Sequence, residues 1–294
     1  MTAQTWIDRT RDLLLAGTVE PINRLNADAG SGVSTLSVEF DAGPIVVGSL
    51  VEVGTELMYV TSVSGQSVGV IRGYGGTTAA DHSSTDIVRS NPQYPAFQIL
   101  NAINDDLNDL SSPQRGLFQV KTKTFTYVAG TDGYDLASDV LGVHSVSYVR
   151  KTSTKSEPQI RRFSVRRNRD TATFASGTAL ILHDPADGEQ TVRVEYAAPF
   201  TTLAASATAL STTGLHTEAY DLPPLGAALK LMSFKPIPRE AMTQQGPVRR
   251  AEEVPPGAIS QSIRDLRFLR DQRVQAESAR LAKMYPVQWV RSGQ

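Results

Sequence analysis

The sequence predicts an α+β protein in which helices separate two groups of β-strands. Apolar and polar residues alternate in residues 35–90 and again in residues 117–200, which is the period of half-buried strands. Apolar residues recur every three or four positions in residues 97–110 and 259–269, which is the period of a helix. The resulting order of helix, strands, helix, strands and helix differs from the regular strand–helix alternation of a wound α/β enzyme.

The N-terminal part predicts a short helix, a linker and a small β unit. Thr5 can cap the helix and Gly17 can end it. Residues 27–34 are mostly Gly, Ser, Asp and Ala, which is the composition of a linker. Three apolar runs follow, and Ser64-Gly65-Gln66 between the last two predicts a hairpin turn. We therefore expect a small antiparallel unit over residues 33–91.

A helix and a second group of strands follow this unit. Leu100, Ile103, Leu107 and Leu110 predict a helix, because they recur at spacings of 3, 4 and 3 residues. Six apolar runs in residues 117–200 are separated by turn residues, which predicts a sandwich or a flattened barrel.

The C-terminal part predicts two helices joined by a linker. The first helix runs from Pro223 or Pro224 to Phe234, and the last from about Ala258 to Met284. Between them, Gln244–Gly257 is rich in proline and charge, which is typical of a mobile linker. The chain then divides into six segments: an N-terminal helix and linker (1–32), a small β unit (33–91), a helix (92–116), a β-sandwich-like domain (117–203), a helix and linker (204–257), and a C-terminal helix with a docking tail (258–294).

The composition excludes several classes of function. The chain has 29 Lys and Arg against 30 Asp and Glu, without the basic excess of a dedicated nucleic-acid binder. It has no cysteine, which excludes thiol nucleophiles, disulfides and cysteine-bound metal clusters. No apolar run approaches the roughly 20 residues of a membrane span, and the first residues lack a signal-peptide core. We therefore expect a chain that stays in the cytosol of the cell that makes it, unless an assembly carries it out.

Charge is distributed unevenly along the chain. Residues 1–120 contain 6 basic and 13 acidic residues, whereas residues 121–294 contain 23 basic and 17 acidic residues. The densest basic stretch, residues 150–170, has 8 basic and 2 acidic side chains. Such a chain suits stacking against copies of itself or against partners, although two solvated faces would give the same pattern.

No catalytic or metal-binding constellation is recognisable in the sequence. Gly65-Gln66-Ser67-Val68-Gly69 fits the G-x-S-x-G pattern of a nucleophile elbow, but the strand pattern that follows favours a hairpin turn. Asp105, Asp106 and Asp109 lie on one helix face and are interpreted as solvated carboxylates. The four histidines are interpreted as lone surface or turn residues: His82, His144, His183 and His216. We expect no enzymatic activity, no cofactor and no metal.

The C-terminal helix combines an apolar stripe with a series of arginines. Ile259, Ile263, Leu266 and Leu269 share one face, which is typical of a docking surface. Arginines at every third position spiral across the helix, and two of them fall on the arc that is apolar one turn earlier. We therefore expect this helix to project from its own core, with those two arginines pairing with partner carboxylates and a tail tryptophan acting as an anchor. A frayed surface helix is the alternative. The predicted partner interface comprises Ile259, Ile263, Leu266, Arg270, Arg273 and Trp289.

One segment resembles a sequence found in virion proteins of tailed bacteriophages. Residues 70–82 read VIRGYGGTTAADH, in which a strand ends in Arg-Gly, a Gly-Thr turn follows, and Ala and His precede another strand. The later order, a β-sandwich and then a helix opened by Tyr220-Asp221-Leu222-Pro223-Pro224, resembles the head-to-tail connector, or adaptor, proteins of these phages. Many adaptors are compact helical bundles, whereas this chain has two β insertions.

The resemblance implies a structural role in the virion. It implies a ring, usually of twelve copies, that contacts the portal protein on one side and a tail-side stopper or tail-completion protein on the other. Genomic DNA would pass through the lumen in transient contact, and no membrane would be involved. The protein would lie at the head–tail interface after assembly in the host cytoplasm.

Two other functions remain open at this stage. The first is another tail or baseplate structural protein, or a carbohydrate-binding accessory of the receptor apparatus. A sugar-binding face needs exposed aromatic residues, and 2 Trp with 9 Tyr are few for that role. The second is a cell-wall hydrolase, which would need paired carboxylates or a histidine–metal site.

Overall fold

The computed structural model describes residues 1–15, 20–131, 133–149, 157–183, 190–234 and 258–285. In these residues the chain has four α-helices: α1 (Ala3–Leu15), α2 (Ala96–Leu110), α3 (Leu222–Phe234) and α4 (Ala258–Met284). They also contain twelve strands: β1 (Ile22–Arg24), β2 (Thr35–Ser37), β3 (Leu50–Val53), β4 (Glu56–Ser64), β5 (Ser67–Ile71), β6 (Ile87–Ser90), β7 (Gln119–Thr126), β8 (Tyr134–Asp135), β9 (Gly142–Val149), β10 (Phe163–Arg166), β11 (Ala179–Leu182) and β12 (Thr191–Ala198). The predicted α+β class is confirmed.

The chain divides into two compact units, each built from two stretches of sequence. Unit 1 consists of residues 1–107 and 202–271, and unit 2 of residues 108–201 and 272–294. The sequence of unit 1 is therefore interrupted by most of unit 2.

A six-stranded antiparallel sheet forms a half-barrel in unit 1, in the order β1-β6-β3-β4-β5-β2. Its two edges approach each other where Leu25 bridges Val38, and the Asn26 N–H donates to the Ser37 carbonyl at 2.8 Å. Alternate strand residues point inwards, so the apolar positions of the predicted β unit fill one interior. The buried residues of this core are Leu25, Ala29, Leu36, Val38, Ala42, Ile45, Val51, Val53, Met58, Val60, Val68, Val70 and Val88.

Helix α1 packs against α3 in the same unit. The fully buried ring of Trp6 lies edge-on to the ring of Tyr220, with 5.4 Å between centroids. Helix α3 begins at Leu222, so its two prolines lie in the first turn, where a backbone N–H has no helical partner. This start agrees with the sequence prediction. Thr5, predicted as the cap of α1, lies inside the helix instead, because α1 begins at Ala3.

A buried ion pair joins α1 to the sheet and to the start of α2. The Arg11 guanidinium donates to Glu52 Oε1 at 2.6 Å, and the Ala96 N–H donates to Glu52 Oε2 at 2.5 Å. Ala96 is the first residue of α2, so the carboxylate satisfies an N–H that the helix cannot.

Unit 2 contains two three-stranded antiparallel sheets, β10-β11-β8 and β7-β12-β9. Both contribute to one hydrophobic core, in which Leu180 of the first sheet and Val192 and Val194 of the second are fully buried. The six predicted runs of this part are present in five strands, β7 and β9 to β12, because β7 joins the first two runs. Strand β8 was not predicted.

Candidate assembly interface

The G-x-S-x-G segment forms the hairpin that its sequence favours. Gly65 and Gln66 form the turn between β4 and β5, and Ser67 is the first residue of β5. Ser67 pairs with Ser64 across the hairpin, so it is followed by a strand, whereas a nucleophile elbow is followed by a helix.

The segment 70–82 is organised by a carboxylate that the sequence analysis did not single out. Glu56, at the start of β4, is buried and receives two hydrogen bonds of 2.8 Å from the guanidinium of Arg72. Its oxygens also accept the backbone N–H groups of Gly73 and Ala80, each at 3.0 Å. Nε2 of His82 lies 2.9 Å from Glu56 Oε2. We call this group, Glu56 with Arg72, Gly73, Ala80 and His82, the carboxylate staple.

The staple explains the composition of the segment. The Arg72 guanidinium also donates to the carbonyls of Gly30 and Val33, each at 2.9 Å, so it also fixes the turn over residues 30–33. Gly73 has a φ of 61°, a conformation that favours glycine. His82 is buried, not a surface residue as predicted, because its ring faces Glu56. The segment is therefore structural, because its charged groups bind one another and neighbouring backbone within the fold.

The pKa of Glu56 shows how strongly the carboxylate staple favours the ionised carboxylate. Burial alone would raise the pKa of Glu56. The hydrogen bonds from Arg72, from the N–H groups of Ala80 and Gly73 and from His82 outweigh it and lower the pKa to about 2. The carboxylate therefore stays ionised throughout the pH range in which the protein would work.

The histidines do not form a metal site in the part of the chain that the structure describes. Within those residues, no three His, Asp or Glu side chains are placed to hold a metal ion. His144 lies beside the rings of Phe118 and Tyr285, with centroids 4.9 and 5.7 Å away. Burial lowers the pKa of His144, although the carboxylate of Glu195 opposes the effect. Tyr285, the residue after α4, thus packs on an aromatic cluster of unit 2.

A buried ion pair connects α2 to α4 in unit 1. The guanidinium of Arg270 donates to Asp106 Oδ1 at 2.5 Å, and both side chains are about 6% exposed. This differs from two sequence interpretations. Asp106 is not a solvated carboxylate, and Arg270 has its carboxylate partner within the chain instead of on another protein. The first part of α4, which belongs to unit 1, therefore packs within that unit at this point, where the sequence predicted that the helix would project.

A glycine in α3 makes room for this pair. The Gly226 Cα lies against the Asp106 carboxylate, so that a Cβ added at position 226 would overlap its oxygens. Nearby, Lys230 of α3 pairs with Asp105, which is half exposed to solvent. Three helices thus meet around one buried charge pair.

We expect Gly226→Ala to destabilise the chain, although alanine has the higher helix propensity. The added methyl must displace Asp106 from Arg270, and such overpacking costs about 1–3 kcal/mol. The midpoint of thermal unfolding measures the effect. Gly32→Ala is the matched control, because a Cβ at that position meets no atom within 4 Å. Equal midpoints for the two variants would contradict the close approach of α3 to Asp106.

Helix α4 keeps one buried stripe beyond the predicted apolar stretch. Val274, Glu277 and Leu281 continue it at helical spacing from Arg270, and all four are at most 8% exposed. Glu277 is accommodated because Arg280, three residues later, donates to both of its oxygens at 3.0 Å. The spacing of apolar residues in the sequence does not reveal this stripe, because two of its four members, Arg270 and Glu277, are charged.

The outer side of α4 carries the exposed apolar residues. Phe268 is 65% exposed and Leu269 is 47% exposed. The sequence analysis placed Leu269 on the docking stripe and missed Phe268, which comes one position earlier. Ile263 and Leu266 are half-buried. We call Phe268 and Leu269 the outer apolar pair of α4.

The remaining predicted interface residues are placed as follows. Arg273 is half-buried and makes a contact within the chain. Ile259 belongs to the first turn of α4, but its side chain is not described. Trp289 and the predicted linker Gln244–Gly257 lie outside the described residues.

The match to a known family identifies the chain. No described helix has the length and apolarity needed to cross a membrane. Residues 77–251 match the family model of the SU10 adaptor protein, which is consistent with a phage head-to-tail adaptor and confirms the resemblance stated from the sequence. The chain belongs to the SU10 adaptor protein family, because the match covers 175 of its 294 residues. No curated protein matches this chain. The family is a structural one and not a family of enzymes.

Proposed function

We propose that this protein forms a ring under the portal that joins the DNA-filled capsid to the tail. Membership of an adaptor family is the observation that carries the proposal. In this role about twelve copies surround a lumen through which DNA passes, the portal protein binds one side, and a tail-side stopper or tail-completion protein binds the other. The protein is then a virion component at the head–tail interface, assembled in the host cytoplasm.

The low net charge supports the passage of DNA through such a ring. The chain as a whole carries a charge of −1. Each phosphate that a protein neutralises adds affinity for DNA, so a strongly basic lumen would hold the genome in place. A nearly neutral subunit avoids that retention.

Residues 258–294 are the element that we assign to docking on the portal. Helix α4 is held to unit 1 by the Arg270–Asp106 pair, so its outer side is presented in a fixed orientation. The outer apolar pair, Phe268 and Leu269, offers burial of roughly 1.5–3 kcal/mol for each side chain that a partner covers completely. A ring repeats this contact in every copy, so that small contributions accumulate. Arg273 and Trp289 belong to the same proposed interface.

Particles made without this protein test the function. In an infection in which the gene is deleted, electron microscopy should show DNA-filled heads without tails, and adding the protein back should restore the tails. Labelled protein should appear as a ring at the portal vertex of intact particles. Normal tailed particles in the deletion would exclude the adaptor role.

We expect the double change Phe268→Ser and Leu269→Ser to reduce portal binding at least tenfold. The two side chains are exposed, so the fold should persist while the contact loses its apolar burial. Portal binding measured by surface plasmon resonance, and the fraction of tailed particles, give the result. Gln272→Ser with Gln275→Ser is the matched control, since both residues are exposed on the same helix. A double variant that binds the portal as the wild type does would remove the outer apolar pair from the interface.

A further inference from the structure

The surface formed by residues 1–107 is strongly acidic. This stretch contains 12 Asp and Glu but only 5 Arg and no Lys. Four of the carboxylates are buried, and the other eight are at least partly exposed: Asp8, Asp12, Asp28, Glu39, Asp41, Asp81, Asp86 and Asp105. Three of the five arginines form ion pairs within this stretch: Arg11 with Glu52, Arg72 with Glu56 and Arg89 with Asp8. The exposed charge of this part of unit 1 is therefore clearly negative.

The described part of unit 2 carries a group of positive charges at one place. Five arginines lie on and beside the edge strand β10, and all five are exposed. Phe163 and Val165 of this strand pack against the core, so the residues that alternate with them, Arg162 and Arg166, belong to the opposite face. We call the group the arginine strip: Arg161, Arg162, Arg166, Arg167 and Arg169.

Four other cations of residues 108–201 are paired locally, and Arg150, Lys151 and Lys155 lie outside the described residues. The four ion pairs are Arg115–Asp109 at 3.3 Å, Lys121–Asp139 at 2.7 Å, Lys123–Asp135 at 3.8 Å and Arg193–Glu157 at 2.6 Å. Within the described residues, Arg161, Arg166 and Arg169 make no ion pair, and Arg167 donates only to the carbonyls of Val140 and Leu141. Among the described residues of 108–201, the positive excess thus lies on the strip.

We propose that the arginine strip of one copy binds the acidic surface of residues 1–107 of a neighbouring copy. The proposal depends on the ring of the proposed function and names the surfaces that close it. A contact between two different surfaces of one chain is heterologous, and such contacts generate rings when the rotation closes. Guanidinium groups suit this role, because their planar donors match carboxylates in two-point hydrogen bonds.

The charge balance of the chain favours a second copy over DNA as the partner. The strip and the acidic surface occur in every copy at equal number, and the net charge of the whole chain is only −1. When the arginine strip of each copy binds the acidic surface of the next copy, both surfaces are neutralised in every copy of the ring. A DNA contact would neutralise the strip alone and would bring phosphates towards an acidic protein.

Reversal of charge on the strip tests the proposal with the full-length protein. The change is Arg161→Glu, Arg166→Glu and Arg169→Glu together, and the measurement is the fraction of protein in rings by mass photometry at low and high salt. We expect the protein concentration needed for rings to rise at least tenfold in the variant. In the wild type it should rise with salt, because exposed charge pairs are screened. A matched pair of single variants, Arg166→Glu and Arg193→Glu, changes the charge equally, and only the first should weaken ring formation, since Arg193 lies outside the strip and is paired with Glu157.

The outcomes separate this inference from the proposed function. Rings formed by the triple variant at the wild-type concentration would refute the strip as the contact and leave the adaptor function intact. A wild-type protein that forms no ring, alone or with the portal, would refute the function and the inference together. Normal rings combined with lost binding of a random-sequence DNA duplex, measured by fluorescence anisotropy, would make the strip a nucleic-acid surface and overturn the inference. Circular dichroism checks that each variant is folded.

Discussion

Arg270→Met should lower the free energy of unfolding by about 3–5 kcal/mol, the cost of removing one partner from a buried ion pair. The buried carboxylate of Asp106 then loses the guanidinium that donates to it at 2.5 Å. Methionine keeps much of the volume of the side chain, so the loss reports on the charge and not on a cavity. Urea unfolding followed by circular dichroism gives the value.

Two further variants show whether the loss of stability in Arg270→Met comes from the buried ion pair. Asp105→Asn removes the neighbouring carboxylate, which is half exposed and paired with Lys230, and should cost at most about 1 kcal/mol. Asp106→Leu combined with Arg270→Met removes both charges and should recover much of the stability that the single change loses. If Arg270→Met costs no more than Asp105→Asn, the pair does not hold α4 on its unit.

Glu56 should make the stability of unit 1 fall steeply in acid. The pKa of a free glutamate is 4.5, and in the fold that of Glu56 is about 2, so the folded state favours the ionised form. Its contribution is complete above pH 4.5 and is lost as the pH falls towards 2. The size of the difference corresponds to about 3 kcal/mol. Urea unfolding at intervals from pH 7 to pH 2 follows the loss.

Comparison with Glu56→Gln isolates this carboxylate from the others that titrate in the same range. At neutral pH the variant should be less stable by about 3 kcal/mol, and the two stability curves should converge near pH 2. Glu39→Gln, at an exposed position, should leave the wild-type curve nearly unchanged. Parallel curves for wild type and Glu56→Gln would show that the staple contributes little to folding.

The helices could be predicted well because each carries a period that local sequence reveals. The predicted limits of the last helix, Ala258 and Met284, agree with α4, and the apolar spacing from Leu100 to Leu110 agrees with α2. Three strands of three or four residues were missed in the half-barrel, since a period of two is hard to recognise over so short a run, whereas β2 was predicted because its alternation continues beyond the strand. The missed strands are β1, β3 and β6.

The charged members of the core could not be predicted from local sequence. Arg270 looks like the end of an apolar stripe, and only the fold brings it to Asp106, which is 164 residues earlier. Likewise, Glu56 lies 16 residues before Arg72 and 26 residues before His82. The composition of residues 70–82 revealed a resemblance, but not the carboxylate that gives the segment its shape. A buried charged residue can be predicted only together with its ion-pair partner, and here each partner is remote in sequence.

The order of the two units along the chain has a consequence for synthesis on the ribosome. Helix α1 leaves the ribosome long before α3, the helix that packs against it, which begins at Leu222. At 5–20 residues per second, the first helix waits about 10–40 s for its packing partner. Asp106 waits in the same way for Arg270. A nascent chain therefore cannot complete unit 1 until α3 and the first part of α4 have been synthesised, so a chain terminated before them lacks the packed α4 that we assign to docking.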